Sequence, residues 1–265
     1  MTVARITRRC FGAVTGGAFL SLAFGGACVG SAPAYASDGV IRARPRDGVK
    51  TSGSGSRRLG IGGRRDAILQ LPAHASTTPL PLLVFFHGAG QNGAGTLRHA
   101  GRLADEAGIA VLAPDSREST WDAIRGRFGA DVDFVNRALE RVFDTVAVDP
   151  ARVAVGGFSD GATYALSLGL INGDLFPRVV AFSPGFIIGG TLHGKPRFFI
   201  SHGTADPILP IHQCSGVIVP RLRKGGYEVT YLEFAGGHEV PTDVAREAMR
   251  WQVSASEAGS ARESA

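Results

Sequence analysis

The feature that most constrains the fold is an alternation of short apolar runs with helical patterns over residues 80–253. The runs are apolar at nearly every position, as expected for strands covered on both faces of a sheet. Strands separated by helices predict a mostly parallel α/β sheet joined by crossover connections. Strands are expected at 82–86, 110–113, 153–155, 179–183, 197–201 and 228–234, and helices near 95–107, 131–146, 161–170, 211–224 and 240–253.

The chain divides into four predicted regions: an export signal, a flexible leader, one globular domain and a disordered tail, at residues 1–36, 37–57, 58–254 and 255–265. The leader is rich in Gly, Ser, Pro, Lys and Arg, and it has too little apolar surface to offset the entropy of ordering. At the start of the domain, residues 59–61 and 67–71 predict an antiparallel hairpin around the Gly62-Gly63 turn.

The first region has the layout of an export signal. A basic start precedes an uncharged stretch at 11–30, and a small-x-small cleavage pattern follows at 34–36. Residues 7–11, Thr-Arg-Arg-Cys-Phe, favour the twin-arginine type over an ordinary secretory signal. The expectation is cleavage after Ala36 and a secreted or periplasmic protein. Two alternatives remain open, an uncleaved membrane anchor and a lipoprotein signal ending at Cys28.

Charge and cysteine content exclude several classes of function. The formal charge is +5, and removing the three arginines of the signal lowers it to +2, too little to indicate a nucleic-acid partner. After signal cleavage only Cys214 remains, so no intramolecular disulfide is possible, and a buried structural thiol is expected. No set of His, Cys, Asp and Glu has ligand spacing, so neither a metal nor a cofactor is expected.

The stretch GGFSDGA at 156–162 follows the apolar run 153–155 and precedes a helical pattern. A serine on a sharp turn between a buried strand and a helix projects its hydroxyl at the carboxyl edge of the sheet. Gly157 and Gly161 give such a turn the room it needs. The context therefore indicates that Ser159 is a nucleophile.

A serine hydroxyl needs a base and an orienting carboxylate to act as a nucleophile. Asp206 follows the predicted strand 197–201, and His238 follows the predicted strand 228–234. Both residues lie just beyond strand ends, where a parallel sheet gathers its functional groups. The sequence therefore predicts a catalytic set of Ser159, Asp206 and His238.

With this order of Ser, Asp and His, the chain resembles the α/β-hydrolase superfamily over residues 59–251. The motifs HGAGQN, GFSDGA, SPGF and HGTADPILP look most like the phospholipase/carboxylesterase group and secreted esterases of the polyhydroxybutyrate-depolymerase type. The resemblance implies an α/β-hydrolase fold without a large cap domain. It also implies an oxyanion hole formed by the backbone N–H groups of Ala89 and Asp160. In this superfamily, histidines at the positions of His87 and His202 usually shape the turn.

The substrate pocket is the least defined part of the site. Trp121, Phe186 and Ile187 are candidate wall residues, and a buried packing role is the alternative for Trp121 and Phe186. Asp160 stands where carboxylesterases commonly carry glutamine. Its carboxylate has two predicted placements, facing the pocket or capping the helix.

The sequence therefore predicts an exported serine hydrolase that cleaves carboxylic esters of small or medium acyl groups through an acyl-enzyme, with a small-molecule or polymeric ester as its only partner. Alternatives with the same triad are a polyester depolymerase, a feruloyl-type esterase or an enzyme acting on peptides. A non-catalytic binding protein on the same fold is the alternative from another class. The oligomeric state has no signature in the sequence.

Overall fold

The computed structural model describes residues 38–73 and 78–254. The predicted signal with Cys28 and the predicted tail at 255–265 lie outside the described residues. No described helix has the length and apolar character needed to cross a bilayer.

The described residues form one eight-stranded sheet with helices on both of its faces. Its strands are β1 Gly55–Arg58, β2 Ala67–Leu71, β3 Leu80–Phe86, β4 Ala110–Pro114, β5 Val148–Phe158, β6 Arg178–Phe182, β7 Arg197–Gly203 and β8 Val229–Phe234, in the order β1-β2-β4-β3-β5-β6-β7-β8. Strands β3 to β8 are parallel, and β1 and β2 form an antiparallel edge. The expected α/β-hydrolase architecture is therefore confirmed, and no cap domain is evident in the described ranges.

The helices are α1 Gly93–Glu106, α2 Asp122–Arg125, α3 Ala130–Thr145, α4 Asp160–Ile171, α5 Ser215–Lys224 and α6 Thr242–Val253. The short α2 is not among the predicted helices, because four residues carry no helical period. Strand β3 shows how the two faces are divided. Val84 and Phe86 pack with α3 and α4, whereas Leu83 and Phe85 pack with α1 and α6.

The hairpin is present, but its first strand lies at different residues from those predicted. Strand β1 begins at Gly55, and its residues pair with β2 from Gly55↔Leu71 to Arg58↔Ile68. All four β1 residues are exposed, so no apolar signal marks them. The residues predicted as the strand, 59–61, belong instead to a turn in which the buried Asp66 carboxylate accepts the N–H groups of Gly60, Ile61 and Gly62.

The leader predicted as flexible is packed against the domain at its start. The side chain of Asn172, at the end of α4, accepts the Ile41 N–H at 2.7 Å and donates to the Gly39 carbonyl at 2.8 Å. Ile41 is fully buried, and Asn136 accepts the N–H groups of Arg42 and Ala43. Two asparagine amides thus order a segment whose composition predicts disorder.

Candidate active site

Ser159 lies at the junction of β5 and α4 with φ 57° and ψ −121°, a backbone conformation uncommon for a residue with a side chain. A Cβ at Gly157 would lie 2.4 Å from the Gly161 carbonyl, and a Cβ at Gly161 would lie 2.2 Å from the Phe86 carbonyl oxygen. Both glycines are therefore required by close backbone approach. The Ser159 N–H donates to the Phe182 carbonyl at 2.9 Å, which ties the turn to β6.

The structure brings the predicted triad together. His238 Nε2 lies 2.8 Å from Ser159 Oγ, and His238 Nδ1 lies 2.6 Å from Asp206 Oδ2. Because the carboxylate only accepts, Nδ1 carries the proton and Nε2 is free to accept from the serine hydroxyl. This is the arrangement in which an imidazole can take the serine proton.

The Asp206 carboxylate is held by donors on both oxygens. Oδ1 accepts the N–H groups of Ile208 and Leu209 at 2.9 and 2.8 Å, and Oδ2 accepts from His238. Burial alone would raise the pKa of Asp206, but the hydrogen bonds from Leu209, His238 and Ile208 hold that pKa below its ordinary value. The carboxylate is consequently charged at neutral pH.

A second imidazole contacts the same carboxylate. His202 Nε2 lies 2.7 Å from the Leu209 carbonyl oxygen and 3.2 Å from Asp206 Oδ2, and both of these atoms are acceptors. Nε2 must therefore carry a proton, and Nδ1 is hydrogen-bonded to Ser215 Oγ at 2.7 Å. The sequence predicted only that His202 shapes a turn, and it did not predict this contact with Asp206. No pattern in a single sequence indicates it.

The loop predicted to supply one oxyanion donor lies against the nucleophile. A Cβ at Gly88 would lie 3.5 Å from Ser159 Cβ. The next residue is Ala89, and neither its N–H nor that of Asp160 has an acceptor among the described residues. Both are therefore available to a ligand oxygen beside Ser159.

The loop after β4, in which the sequence predicted a role only for Trp121, as a pocket wall or a packing residue, braces this region. After β4, Ser116 N–H donates to His87 Nε2 at 3.0 Å, the Trp121 indole N–H donates to the His87 carbonyl at 2.9 Å, and the Ser119 carbonyl accepts the Gly90 N–H at 2.7 Å. His87 Nδ1 lies 2.8 Å from the Gly88 carbonyl and donates to it. Burial lowers the pKa of His87, in keeping with a neutral ring.

The Asp160 side chain adopts neither of its two predicted placements. Its carboxylate accepts a hydrogen bond from Thr120 Oγ1 at 2.5 Å, so it faces the bracing loop. Its position in the first turn of α4 is favourable for a negative charge. The Thr120 contact therefore links the second oxyanion donor to the loop that holds the first.

Of the predicted pocket walls, Trp121 has the alternative role, buried packing. Trp121 is fully buried, stacks on Tyr164 with ring centroids 5.0 Å apart, and belongs to the core rather than to a pocket. Phe186 is 48% exposed, and Ile187 packs at the margin of the core. Periodicity cannot separate a core tryptophan from a pocket tryptophan, since both are apolar positions next to a site.

The described residues enclose a different cavity of about 320 Å³ beside His238. It lies between α1 and α6, and none of the three predicted wall residues lines it. Its walls include Phe85, Leu103, Phe158, Phe182 and Met249. Elsewhere in the described ranges, no group of three or more His, Cys, Asp or Glu is placed to hold a metal ion.

Cys214 is buried and free at the start of α5, as expected for a structural thiol. Burial, and then the nearby Asp206 carboxylate, raise the pKa of the thiol. A raised pKa makes Cys214 a poor nucleophile at neutral pH.

Comparison with known proteins shows to which family a chain with this geometry belongs. Residues 109–243, just over half of the chain, match the phospholipase/carboxylesterase family. The chain belongs to that family. The matched range includes Ser159, Asp206 and His238, so the resemblance to the phospholipase/carboxylesterase group is confirmed, and with it the α/β-hydrolase fold of a family of carboxylic ester hydrolases.

Two curated relatives of this phospholipase/carboxylesterase protein are esterases by name. A putative esterase, NocK, from Nocardia uniformis is 29% identical over 147 residues, covering 49% of this chain and 41% of the relative. Feruloyl esterase C from Emericella nidulans is 31% identical over 101 residues, covering 38% of this chain and 36% of the relative. The chain thus spans about two fifths or less of the length of these relatives.

Solved structures share the fold at low identity. A fluorophosphonate-binding serine hydrolase of Staphylococcus aureus, FphF, has a TM-score of 0.60 at 17% identity, covering 77% of this chain and all of that one. A ferulic acid esterase of Anaeromyces mucronatus has a TM-score of 0.56 at 18% identity, covering 79% of this chain and 93% of that one. At such identities the likeness shows the fold alone.

Proposed function

We propose that this protein is an exported serine esterase that hydrolyses carboxylic esters of small or medium acyl groups through an acyl-enzyme. The observation that carries the proposal is the hydrogen-bonded chain from Asp206 through His238 to Ser159, on a turn whose backbone directs the serine away from α4. The family membership of residues 109–243 supports the same reaction type.

In the proposed reaction, Ser159 Oγ forms a bond to the ester carbonyl carbon while His238 Nε2 takes the hydroxyl proton. The charge on the former carbonyl oxygen is received by the N–H groups of Ala89 and Asp160, and Asp206 stabilises the imidazolium. When the ester C–O bond breaks, His238 returns the proton to the leaving oxygen. Water then repeats the sequence on the acyl-enzyme, which releases the acid and restores Ser159.

The preference for small or medium acyl groups is supported by the connections above the sheet. The chain passes from β6 to β7 through residues 183–196 without an intervening helix or strand. Without a cap over the site, this connection adds no helix or strand against which a long acyl chain could be buried. The export signal that supports extracytoplasmic action lies at residues 1–36.

A fluorophosphonate probe tests the enzyme class directly. The native protein should label at Ser159. Ser159→Ala should not label, and its turnover should fall by roughly 10⁶-fold. Ser56→Ala, an exposed serine of β1, is the matched control and should label as the native chain does. Correctly folded native protein that does not label would instead support a binding protein on a hydrolase fold.

A feruloyl ester is the second candidate substrate, because a feruloyl esterase is among the matched relatives. Aryl esters of increasing acyl length should be compared with ethyl ferulate and a solid polyester by kcat/KM. The proposal predicts the highest values for short and medium acyl chains. A ferulate ester that exceeds them by ten-fold or more would assign the feruloyl alternative, and a steady rise to long chains would contradict the proposal.

A further inference from the structure

No step of the proposed reaction assigns a ligand to the cavity beside His238. It lies where α1, α6 and the ends of β3, β5 and β6 meet, and its inner wall is formed by Phe85, Leu103, Phe182 and Met249. These side chains are apolar, and the volume of about 320 Å³ is at the lower limit of ordinary ligand pockets.

One wall of this cavity belongs to the reaction centre. His238 lines it together with Phe158, whose ring packs against the imidazole at a centroid distance of 4.8 Å. His87 and Gln91, at the two ends of the oxyanion loop, line it as well. The cavity therefore spans the space between the histidine and the oxyanion loop, and Ser159 is not among its lining residues.

The histidine determines which part of an ester is nearest to this cavity. During acylation the ester C–O bond breaks, and the proton that His238 Nε2 took from Ser159 goes to the departing oxygen. That oxygen must therefore lie within hydrogen-bond reach of His238 Nε2. The group attached to it, the alcohol part of the ester, is thus placed beside the wall formed by His238 and Phe158.

We infer that the cavity between α1 and α6 binds the alcohol part of the ester, and that this part is a neutral apolar group such as a short alkyl chain or one aromatic ring. The inference rests on the proposed function. A volume of about 320 Å³ has room for roughly ten groups the size of a water molecule. Glu239, an exposed carboxylate on the rim, disfavours a negatively charged alcohol.

The test is a series of acetates of ethanol, 1-butanol, 1-hexanol and 2-phenylethanol. All of them give the same acetyl-enzyme, so differences in kcat/KM report the alcohol part during acylation. The expected rise is roughly two- to four-fold for each buried CH₂, with the phenylethyl ester well above the ethyl ester. A parallel series of ethyl esters with lengthening acyl chains reports the other side of the scissile bond.

A variant that fills the cavity tests whether the selectivity for the alcohol part arises there. Ala245, on α6, lines the cavity and is 7% exposed. Ala245→Phe should lower the kcat/KM ratio of phenylethyl to ethyl acetate by ten-fold or more and leave the acyl-chain preference in place. Ala100→Val, on the facing side of α1, is a smaller change that should lower the ratio by a few-fold.

The matched control is Ala123→Leu, which overpacks an alanine of similar burial, 4% exposed. Ala123 packs on the other face of the sheet, with the residues of α3 and α4. It should keep the alcohol ratio of the native enzyme. Thermal unfolding and fluorophosphonate labelling show whether each variant has folded and assembled its triad. If Ala245→Phe does not fold, the ratio measured for Ala100→Val decides.

The outcomes separate the inference from the function on which it rests. An enzyme that labels and hydrolyses ethyl acetate, but has a flat alcohol series, overturns the inference alone. A cavity-filling variant that changes the acyl series instead of the alcohol series also overturns it, because the acyl group would then occupy the cavity. A folded protein that neither labels nor hydrolyses any ester overturns the proposed function and the inference with it.

Discussion

The two halves of the site hold their functional groups in different ways. The oxyanion half, residues 87–90, 116–121 and 160, presents backbone N–H groups and is braced mainly by hydrogen bonds among neutral groups, such as Trp121 to the His87 carbonyl. The histidine half, residues 202–209 and 236–239, presents a side chain and is organised around one charged carboxylate, Asp206.

The difference lies in how many contacts position the functional groups of each half. In the oxyanion half several contacts share the task, so the loss of one leaves others in place. In the histidine half the orientation of His238 depends on Asp206, whose carboxylate accepts from Ile208, Leu209 and His238, and hydrogen bonds to a charged group are stronger than neutral ones. Single substitutions should therefore have their largest effects on the histidine half.

The largest effect is expected for Asp206→Asn. An amide nitrogen opposite His238 Nδ1 would favour the tautomer with the proton on Nε2, which cannot accept from Ser159. We expect kcat to fall by about 10⁴-fold, as such a substitution does in the serine protease template. Steady-state kinetics on a soluble aryl ester measures it, with circular dichroism as the control for folding. A loss of less than ten-fold would show that the histidine half does not depend on its carboxylate.

Substitution of His202 should have the next largest effect. His202→Asn removes the Nε2 donor, and kcat is expected to fall by about 10- to 100-fold, on the scale of other residues that orient a functional side chain. His202→Gln retains a donor near the Nε2 position and should recover part of the loss. A purely structural role would lower stability in both variants without the partial recovery of kcat in His202→Gln, and thermal unfolding measures that stability.

Acid should weaken the oxyanion half before the histidine half. His87 has a pKa below 6.5 in the folded protein, so the unfolded chain binds its proton first as pH falls. The stabilisation is complete above about pH 6.5, and each unit below it removes up to about 1.4 kcal/mol until the folded pKa is reached. The lowered pKa of Asp206 keeps its contribution until pH falls below about 4.

Urea unfolding at pH 7.5, 6.0 and 5.0 measures this difference. Protonation of Asp131, whose pKa burial raises to about 6, stabilises both proteins as pH falls. The difference between the two proteins therefore reports His87: relative to the native protein, His87→Gln, which retains an acceptor for Ser116 and does not titrate, should gain stability from pH 7.5 to 5.0. Equal slopes for the two proteins would remove His87 as the cause.

The smallest effect is expected for Thr120→Val. It removes the hydroxyl that binds the Asp160 carboxylate while the other contacts of the bracing loop remain. We expect kcat to fall by about three- to ten-fold with little change in KM, which corresponds to roughly 1 kcal/mol for one hydrogen bond. Thr120→Ser, which retains the hydroxyl, is the control. A fall as large as that of Asp206→Asn would show that the oxyanion half also depends on a single contact.

The sequence is most informative where local rules determine the geometry. The turn around Ser159 could be predicted because a strand, two glycines and a helix follow one another directly. Asp206 and His238 could be predicted because a parallel sheet brings the carboxyl ends of its strands to one edge. Strands β3, β4 and β6 are buried along their whole length, so they could be predicted as well, whereas the first part of β5, with Asp149 and Arg152, carries no apolar signal and was not predicted.

The sequence is least informative where polar contacts join distant segments. The hydrogen bonds of Thr120 to Asp160 and of Trp121 to His87 join residues 40 and 34 positions apart, and no periodicity marks them. The exposed residues of β1 carry no apolar signal. The burial of Trp121 depends on its contact with Tyr164, which only the assembled fold reveals.

The hydrogen bonds of Asn172 to Gly39 and Ile41 determine how far the chain can be shortened from its N-terminal side. Asn172 ends the helix that begins at the nucleophile, so trimming past Ile41 would leave its buried Oδ1 without the Ile41 N–H, while Nδ2 would keep only the Leu168 carbonyl. Arg42 follows directly in this segment, and trypsin cleaves the bond between arginine and a following alanine, here Ala43. Resistance to trypsin at the Arg42–Ala43 bond is therefore a simple assay for whether the helix that follows Ser159 is still bound to the start of the domain.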